Sequence, residues 1–246
     1  RRKITALKDH PALLLWYMWD EPCEGKTPPN DLIQAYQYAK KLDPAHPFFI
    51  AASEPRNDVY YFRGADIFAP DGYPMNSNGP CTKDVDNIHT WFRPAMLDGK
   101  PFPWTILMIA HWDKPRWNRF PSIPYLRTLA FLSLADNQRG LAFYADRNYP
   151  ERAPEFWKDL TLFIHSIRNL TPDILASEMV VTDKVKVGSD KIRWILHKVA
   201  GQKYYLLLAV NPQEEKAKPL SVGKVDFTFP EFRIDRIEAI DEDSAG

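Results

Sequence analysis

The sequence predicts an α/β fold in which a parallel sheet is followed by a small antiparallel β domain. First, residues 13–19 read Leu-Leu-Leu-Trp-Tyr-Met-Trp, and an apolar run of strand length without polar alternation predicts a strand buried on both faces. Second, strand-like and helix-like runs alternate as far as residue 170, which predicts crossover units and parallel strands. Third, after residue 175 short β-branched and aromatic runs are separated by turn residues, which is typical of antiparallel sheets.

The first half of the chain predicts three of the parallel strands. Prolines mark the boundaries, because Pro11 ends an opening amphipathic helix and Asp43-Pro44 ends the next helix. The predicted elements of this half, in chain order, are a helix at 1–10, a strand at 12–19, a helix at 32–42, a strand at 48–53, a short helix or irregular turn at 59–62 and a strand at 65–69.

The second half predicts two more parallel strands and then the β domain. Its α/β elements are a helix at 83–97, a strand at 104–110, a helix at 123–136, a strand at 140–144 and a helix at 154–170. About five strand–helix units therefore precede the β domain at the typical ~30 residues each, whereas a closed eight-fold barrel typically needs ~250 residues. We predict a first domain at 1–175 and an all-β sandwich at 176–246.

One strand of the β domain has alternating residues that predict which side chains face its core. The residues expected inside are Ile192, Trp194 and Leu196, and those on the opposite face are Arg193, Ile195 and His197.

Composition argues against several classes of partner and cofactor. Lysine plus arginine and aspartate plus glutamate number 32 each, and this zero formal charge argues against nucleic-acid and anionic-membrane partners. No apolar run reaches 18 residues, so no transmembrane helix is expected. Cys23 and Cys81 are too few for a disulfide framework or a zinc site, and the six histidines form no HExxH pair. Glycine-rich phosphate loops and Gly-x-Ser-x-Gly elbows are absent from the sequence, so neither a metal nor another cofactor is expected.

The candidate site lies where the first apolar run ends. Reactive groups of parallel sheets sit at the carboxyl ends of the strands, and Asp20 and Glu21 occupy that position here. Aromatic side chains such as Trp19 stand beside them, and sugar sites combine flat apolar surfaces with carboxylates. The alternative reading is an acidic cap for the next helix.

The motif Trp19-Asp20-Glu21-Pro22 resembles the fourth strand of the clan A glycoside hydrolases, which are retaining (β/α)8-barrel enzymes. In that clan an Asn-Glu pair ends the strand and its Glu is the acid/base, so the resemblance implies this role for Glu21. Residues 140–144 are similar to a late barrel strand, and a trailing β domain is common in these families. The five strands would then match strands four to eight of a partial TIM-like barrel, with the first three strands missing.

The sequence departs from the clan at two positions. Asp20 stands where the clan has the Asn that contacts the sugar 2-hydroxyl. The strand that would be the seventh lacks the nucleophilic Glu, and Asp113 is the acid nearest to its end.

Glycoside hydrolysis usually needs two carboxyl groups, one of which keeps its proton through desolvation or a like-charged neighbour. The candidate catalytic residues are Glu21, Asp71 and Asp113. A turn residue before glycine remains the alternative reading of Asp71, and a helix cap or loop ion pair that of Asp113. The candidate substrate-binding residues are Trp19, Asp20, Glu54, Tyr73, His111, Trp112 and Asp146.

The expected function is glycoside hydrolysis of a β-linked oligo- or polysaccharide. A degenerate barrel that binds carbohydrate or only self-assembles is the alternative, and a piece of a longer enzyme is a third reading. A partial barrel exposes a sheet edge and an apolar interior, so we expect a homodimer in which two partial barrels cover each other. The substrate class alone favours residence outside the cytoplasm.

Overall fold

The computed structural model describes residues 1–53, 59–71, 102–109, 120–145, 149–180 and 193–210. The helices among them are α1 (Arg2–Leu7), α2 (Pro29–Leu42), α3 (Ile123–Ala135), α4 (Tyr149–Arg152) and α5 (Pro154–Leu175), with a 3-10 helix at Val59–Gly64. The strands are β1 (Trp16–Trp19), β2 (Phe48–Ala52), β3 (Ile67–Pro70), β4 (Phe102–Met108), β5 (Gly140–Tyr144), β6 (Ser177–Met179), β7 (Arg193–Val199) and β8 (Tyr205–Val210). The helix predicted at 83–97 and the strands predicted beyond residue 210 lie outside these residues.

The first sheet is parallel and its strand order equals the chain order, β1-β2-β3-β4-β5. Each connection therefore advances by one strand in the same direction, unlike the reversal of doubly wound sheets. Because parallel connections are almost always right-handed, such an order puts the connecting segments on one face. The predicted α/β class with a parallel sheet is confirmed, and within the described residues no pairing closes the sheet into a barrel.

Helices cover one face of this sheet. Ile50 of β2 and Phe68 of β3 pack against Leu32 of α2 and Phe62 of the 3-10 helix. Farther along the sheet, Leu107 of β4 belongs to a cluster with α3 and α5. Helix starts follow local chemistry: Pro29 opens α2, and the Ser122 side chain caps α3 by accepting from the Tyr125 backbone N–H.

On the opposite face of the sheet, the residues that the structure describes belong to the strands, apart from Leu15 just before β1, and we call it the strand-only face. Its buried cluster contains Phe49 and Ala51 of β2, Ile67 and Ala69 of β3, and Ile106 of β4. These side chains alternate with those on the helix side, as the two-residue period of a strand requires. They are 0–8% exposed within a single chain. The exposed apolar interior on which we based the homodimer is therefore not found at these positions.

The first strand differs from its prediction. A strand buried on both faces was expected over 12–19, but β1 has only four residues and Tyr17 is 56% exposed. Leu14, near the start of the apolar run, is 72% exposed. The reason is position: β1 ends the described sheet, so it has one hydrogen-bonded neighbour, β2.

A buried carboxylate ties β1 to the end of α2. Asp43 accepts hydrogen bonds from Trp16 Nε1 and His46 Nδ1, both at 2.8 Å, and from the backbone N–H groups of Ala45 and His46 at 3.2 Å. Burial by itself would raise the pKa of Asp43, but the hydrogen bonds from Trp16 and His46 outweigh it and lower the pKa to about 2.

The second sheet is antiparallel, with the order β6-β7-β8. Its residues Ile195 and Leu208 pack against Leu134 of α3 and Ile174 of α5. The prediction that only one face of β7 is inside was wrong, because Ile195 and His197 are buried as well as Leu196. The division of the chain at residue 175 stays a prediction. None of the described helices has both the length and the apolar content that crossing a membrane requires.

Candidate functional site

Two of the predicted acids continue the strands on either side of β2. The backbone N–H of Glu21, just after β1, donates to the carbonyl oxygen of Ala51 at 3.2 Å. The backbone N–H of Asp71, just after β3, donates to the carbonyl oxygen of Ala52 at 3.0 Å. Both residues therefore lie at the carboxyl end of the sheet, hydrogen-bonded to consecutive residues of β2.

The side chains of these two acids are joined. Asp71 follows Ile67 and Ala69 at two-residue spacing, which places it on the strand-only face. Its carboxyl group is hydrogen-bonded to the side chain of Glu21. Asp71 is only 5% exposed, and its Oδ1 has no hydrogen-bond partner in the described part of the chain. Glu21 is half-buried, so it is the member of the pair that solvent reaches.

The pair holds a proton at neutral pH. Burial raises the pKa of Asp71 to about 8, together with the hydrogen bond to Glu21 and the negative charges of Glu21 and Asp20. Asp71 therefore keeps its proton at pH 7 and donates it to Glu21. Two acids in such contact titrate as one unit rather than as separate groups.

Glu21 has a strained backbone. Its φ angle is 41°, in the left-handed region where a side chain with a Cβ atom is disfavoured. The strain occurs where the chain leaves β1 and turns, because the Gly25 N–H donates to the Glu21 carbonyl oxygen at 3.1 Å. Strained residues of this kind cluster at functional sites.

Tyr17 also belongs to the site, although we expected it only as one of the aromatic residues near the acids and not as a candidate substrate-binding residue. Its hydroxyl donates to Asp20 Oδ1 at 2.5 Å, and its ring packs against Phe49 with centroids 5.1 Å apart. Partial burial, the bond to Asp20 and the charges of Asp20, Asp71 and Glu21 raise its pKa. The side chain as a whole is 56% exposed, so we attribute the burial to its hydroxyl end.

A register shift in β1 separates Trp19 from this group. Tyr17 pairs with Phe49 but Trp19 pairs with Ile50, so Met18 is an extra residue in the ladder. A one-residue shift sends later side chains to the other face. Trp19 accordingly packs on the helix side with Met18. The structure thus brings Tyr17, not Trp19, to the carboxyl pair.

The other candidate residues lie outside the described part of the chain. They are Glu54, Tyr73, His111, Trp112, Asp113 and Asp146. Their roles stay predictions. Among the described residues no group of three or more His, Cys, Asp or Glu side chains is arranged to hold a metal ion.

Comparison with known proteins finds no family model, no curated protein and no solved structure that matches the chain significantly.

Proposed function

We propose that the protein is a glycoside hydrolase of β-linked oligo- or polysaccharides in which Glu21 is the general acid/base and Asp71 is its proton-holding partner. The observation that carries this proposal is the hydrogen-bonded Glu21–Asp71 pair at the carboxyl end of a parallel sheet. That end is where (β/α)8 barrels hold their reactive groups. The resemblance of residues 19–22 to the clan A glycoside hydrolases is consistent with the same role for Glu21.

The proposal includes a partial TIM-like barrel. In such barrels consecutive strands are neighbours and helices lie outside, so that side chains of the inner face meet only other strands. The chain-ordered parallel sheet and its strand-only face support this arrangement. The five strands would be strands four to eight of the barrel, which puts Glu21 at the clan's acid/base position.

The two acids have different tasks. Asp71 is nearly inaccessible, so Glu21 is the group that can reach a glycosidic oxygen. The shared proton moves along the hydrogen bond from Asp71 to Glu21, and Glu21 then delivers it to the leaving oxygen, so both carboxyl groups are left ionised. The pair has then lost one proton, and it regains one from the water that completes hydrolysis.

A further carboxylate is needed opposite Glu21. Acid and nucleophile of a retaining enzyme are about 5–5.5 Å apart, and those of an inverting enzyme about 6.5–9.5 Å. Hydrogen-bonded oxygens are only about 3 Å apart, so Asp71 cannot serve as that second group. Asp113 remains our candidate for it.

The alternative proposal is a barrel without catalysis that binds carbohydrate or self-assembles. It is favoured by the sequence of residues 105–113, which contains no Glu where the clan keeps its nucleophile. The homodimer in which two partial barrels cover each other stays a prediction, to be checked by size-exclusion chromatography with light scattering. A monomer at micromolar concentration would contradict it.

The test compares the wild type with Glu21→Gln and with Glu24→Gln, a control at an exposed residue of the same turn. The substrates are a panel of aryl β-glycosides and β-linked polysaccharides. We expect Glu21→Gln to lose about 10²–10⁴-fold in kcat and the control to keep wild-type turnover. Equal turnover in all three proteins would remove Glu21 from the mechanism. Sugar binding without turnover in the wild type would favour the alternative.

A further inference from the structure

Tyr17 has an exposed aromatic ring beside the carboxyl pair, and neighbouring residues hold both its ring and its hydroxyl group. One side of its ring packs against Phe49 at an interplanar angle of 59°. Its hydroxyl is bonded to Asp20, and the side chain remains 56% exposed. A ring held at two points loses little conformational freedom when a ligand packs on its open face.

The position of Tyr17 relates this open ring to the reactive groups. The ring lies on the strand-only side, because it contacts Phe49 of that face. Its hydroxyl is close enough to Asp71 and Glu21 for both charges to act on it. A ligand on the ring would therefore also be adjacent to Glu21.

We propose, on the basis of the proposed function, that the Tyr17 ring, beside the candidate sugar-binding residue Asp20, forms a sugar-binding subsite for a neutral pyranose unit next to the bond that Glu21 cleaves. The C–H face of the pyranose packs on the open face of Tyr17, and Asp20 accepts a hydrogen bond from a sugar hydroxyl. Small-molecule sites usually combine an aromatic surface, which provides contact area, with a few polar groups, which fix the orientation of the ligand.

The carboxyl groups around the proposed subsite favour a sugar without an ionised group. Asp20 and the one-proton pair of Glu21 and Asp71 place negative charge beside the proposed subsite, and no ion pair neutralises this charge in the described part of the chain. A uronate unit would bring a further negative charge beside them, which like-charge repulsion disfavours.

A second tyrosine provides a matched control. Tyr38 of α2 is 49% exposed, which is close to the exposure of Tyr17, but it lies on the helix that covers the other face. Loss of its ring removes a similar exposed surface without touching the proposed subsite.

The test measures binding in the Glu21→Gln background by isothermal titration calorimetry. The ligands are β-1,4-linked tetrasaccharides of glucose, xylose and mannose, with tetramannuronate as the anionic counterpart. For a neutral ligand that binds, we expect Tyr17→Ala to raise Kd about tenfold or more, which corresponds to about 1.4 kcal/mol. Tyr17→Phe keeps the ring and should stay within about threefold of the parent, as should Tyr38→Ala. In the active background, Tyr17→Ala should raise KM more than it lowers kcat.

The outcomes separate this inference from the proposed function. Binding or hydrolysis that is unchanged in Tyr17→Ala would overturn the subsite and leave the Glu21 mechanism intact. Preferred binding of tetramannuronate would overturn the neutral substrate class. If no saccharide is bound by Glu21→Gln and none is hydrolysed by the wild type, both proposals are wrong. Tyr17→Leu preserves apolar contact with Phe49, and it replaces Tyr17→Ala if circular dichroism shows that the alanine variant is unfolded.

Discussion

Asp71 and Glu21 hydrogen-bond each other from opposite sides of β2. Their backbone N–H groups are bonded to consecutive residues of that strand, Ala52 and Ala51, so the two side chains reach toward each other across its end. One carboxyl is buried and the other is accessible. This difference makes Asp71 the holder of the shared proton and Glu21 the group that meets a ligand.

The pH dependence of activity should reflect the loss of the proton that the Glu21–Asp71 pair holds. Because the pKa of Asp71 is raised to about 8, the one-proton state is populated through neutral pH and is lost above that value. We expect kcat/KM to fall above about pH 8, and we expect this alkaline fall to change in Asp71→Asn, because the carboxyl group whose ionisation causes it is absent. A pH profile of kcat/KM checks this, and an unchanged alkaline limb in the variant would contradict it.

Ionisation of the Asp71 carboxyl group should lower the free energy of unfolding as pH rises. The folded pKa of about 8 lies above 3.8, the ordinary pKa of an aspartate, so the folded protein binds the extra proton between these values. The free energy of unfolding should therefore fall as pH rises through this window. Asp71→Asn resembles the protonated form and escapes this loss, so we expect it to exceed the wild type by roughly 1 kcal/mol at pH 8.

Urea unfolding at pH 5 and pH 8 measures this effect, with Asp9→Asn, a change at an exposed residue, as the control. The advantage of Asp71→Asn should grow between the two pH values. An advantage that is equal at both, or reversed, would show that Asp71 does not bind the proton in the folded protein.

The backbone strain at Glu21 predicts that glycine at this position gives a more stable protein than alanine, which is the reverse of the usual order. At a φ of 41° glycine is not penalised, whereas alanine keeps the unfavourable Cβ contact. We expect Glu21→Gly to be more stable than Glu21→Ala by about 1 kcal/mol. Glu24, in the same turn, has no positive φ, so Glu24→Gly should be no more stable than Glu24→Ala. Thermal unfolding of the four variants tests the pattern, and an equal glycine effect at both positions would refute it.

The buried carboxylate of Asp43 should stabilise the fold except in strong acid. Its pKa of about 2 lies below 3.8, the ordinary pKa of an aspartate, so its contribution is present above about pH 4 and is lost as pH falls through about 2. Asn at this position cannot accept from all four donors, and we expect Asp43→Asn to lose roughly 1–2 kcal/mol at pH 7. Denaturant unfolding from pH 7 to pH 2 should show the difference shrinking, and a difference that persists at pH 2 would point to packing instead.

The parallel sheet could be predicted because its signals are local. Apolar runs of strand length, helical spacing and prolines between them define each element within a few residues, and the strand ends of Glu21 and Asp71 follow from them. Several boundaries differ: α5 extends to Leu175 rather than 170, and β1 begins at Trp16 rather than 12. Element ends depend on capping and pairing, which extend beyond the local pattern.

The sequence by itself determined the α/β class, the succession of parallel strands and helices along the chain, and the placement of acids at strand ends, since these depend on spacing and residue type. Tertiary structure decided which acids meet and which one keeps the proton, because burial and neighbouring charge exist only after the strands assemble. It also decided that Tyr17 rather than Trp19 faces the pair. A single extra residue at Met18 reverses the faces of β1, and only pairing with β2 reveals that shift.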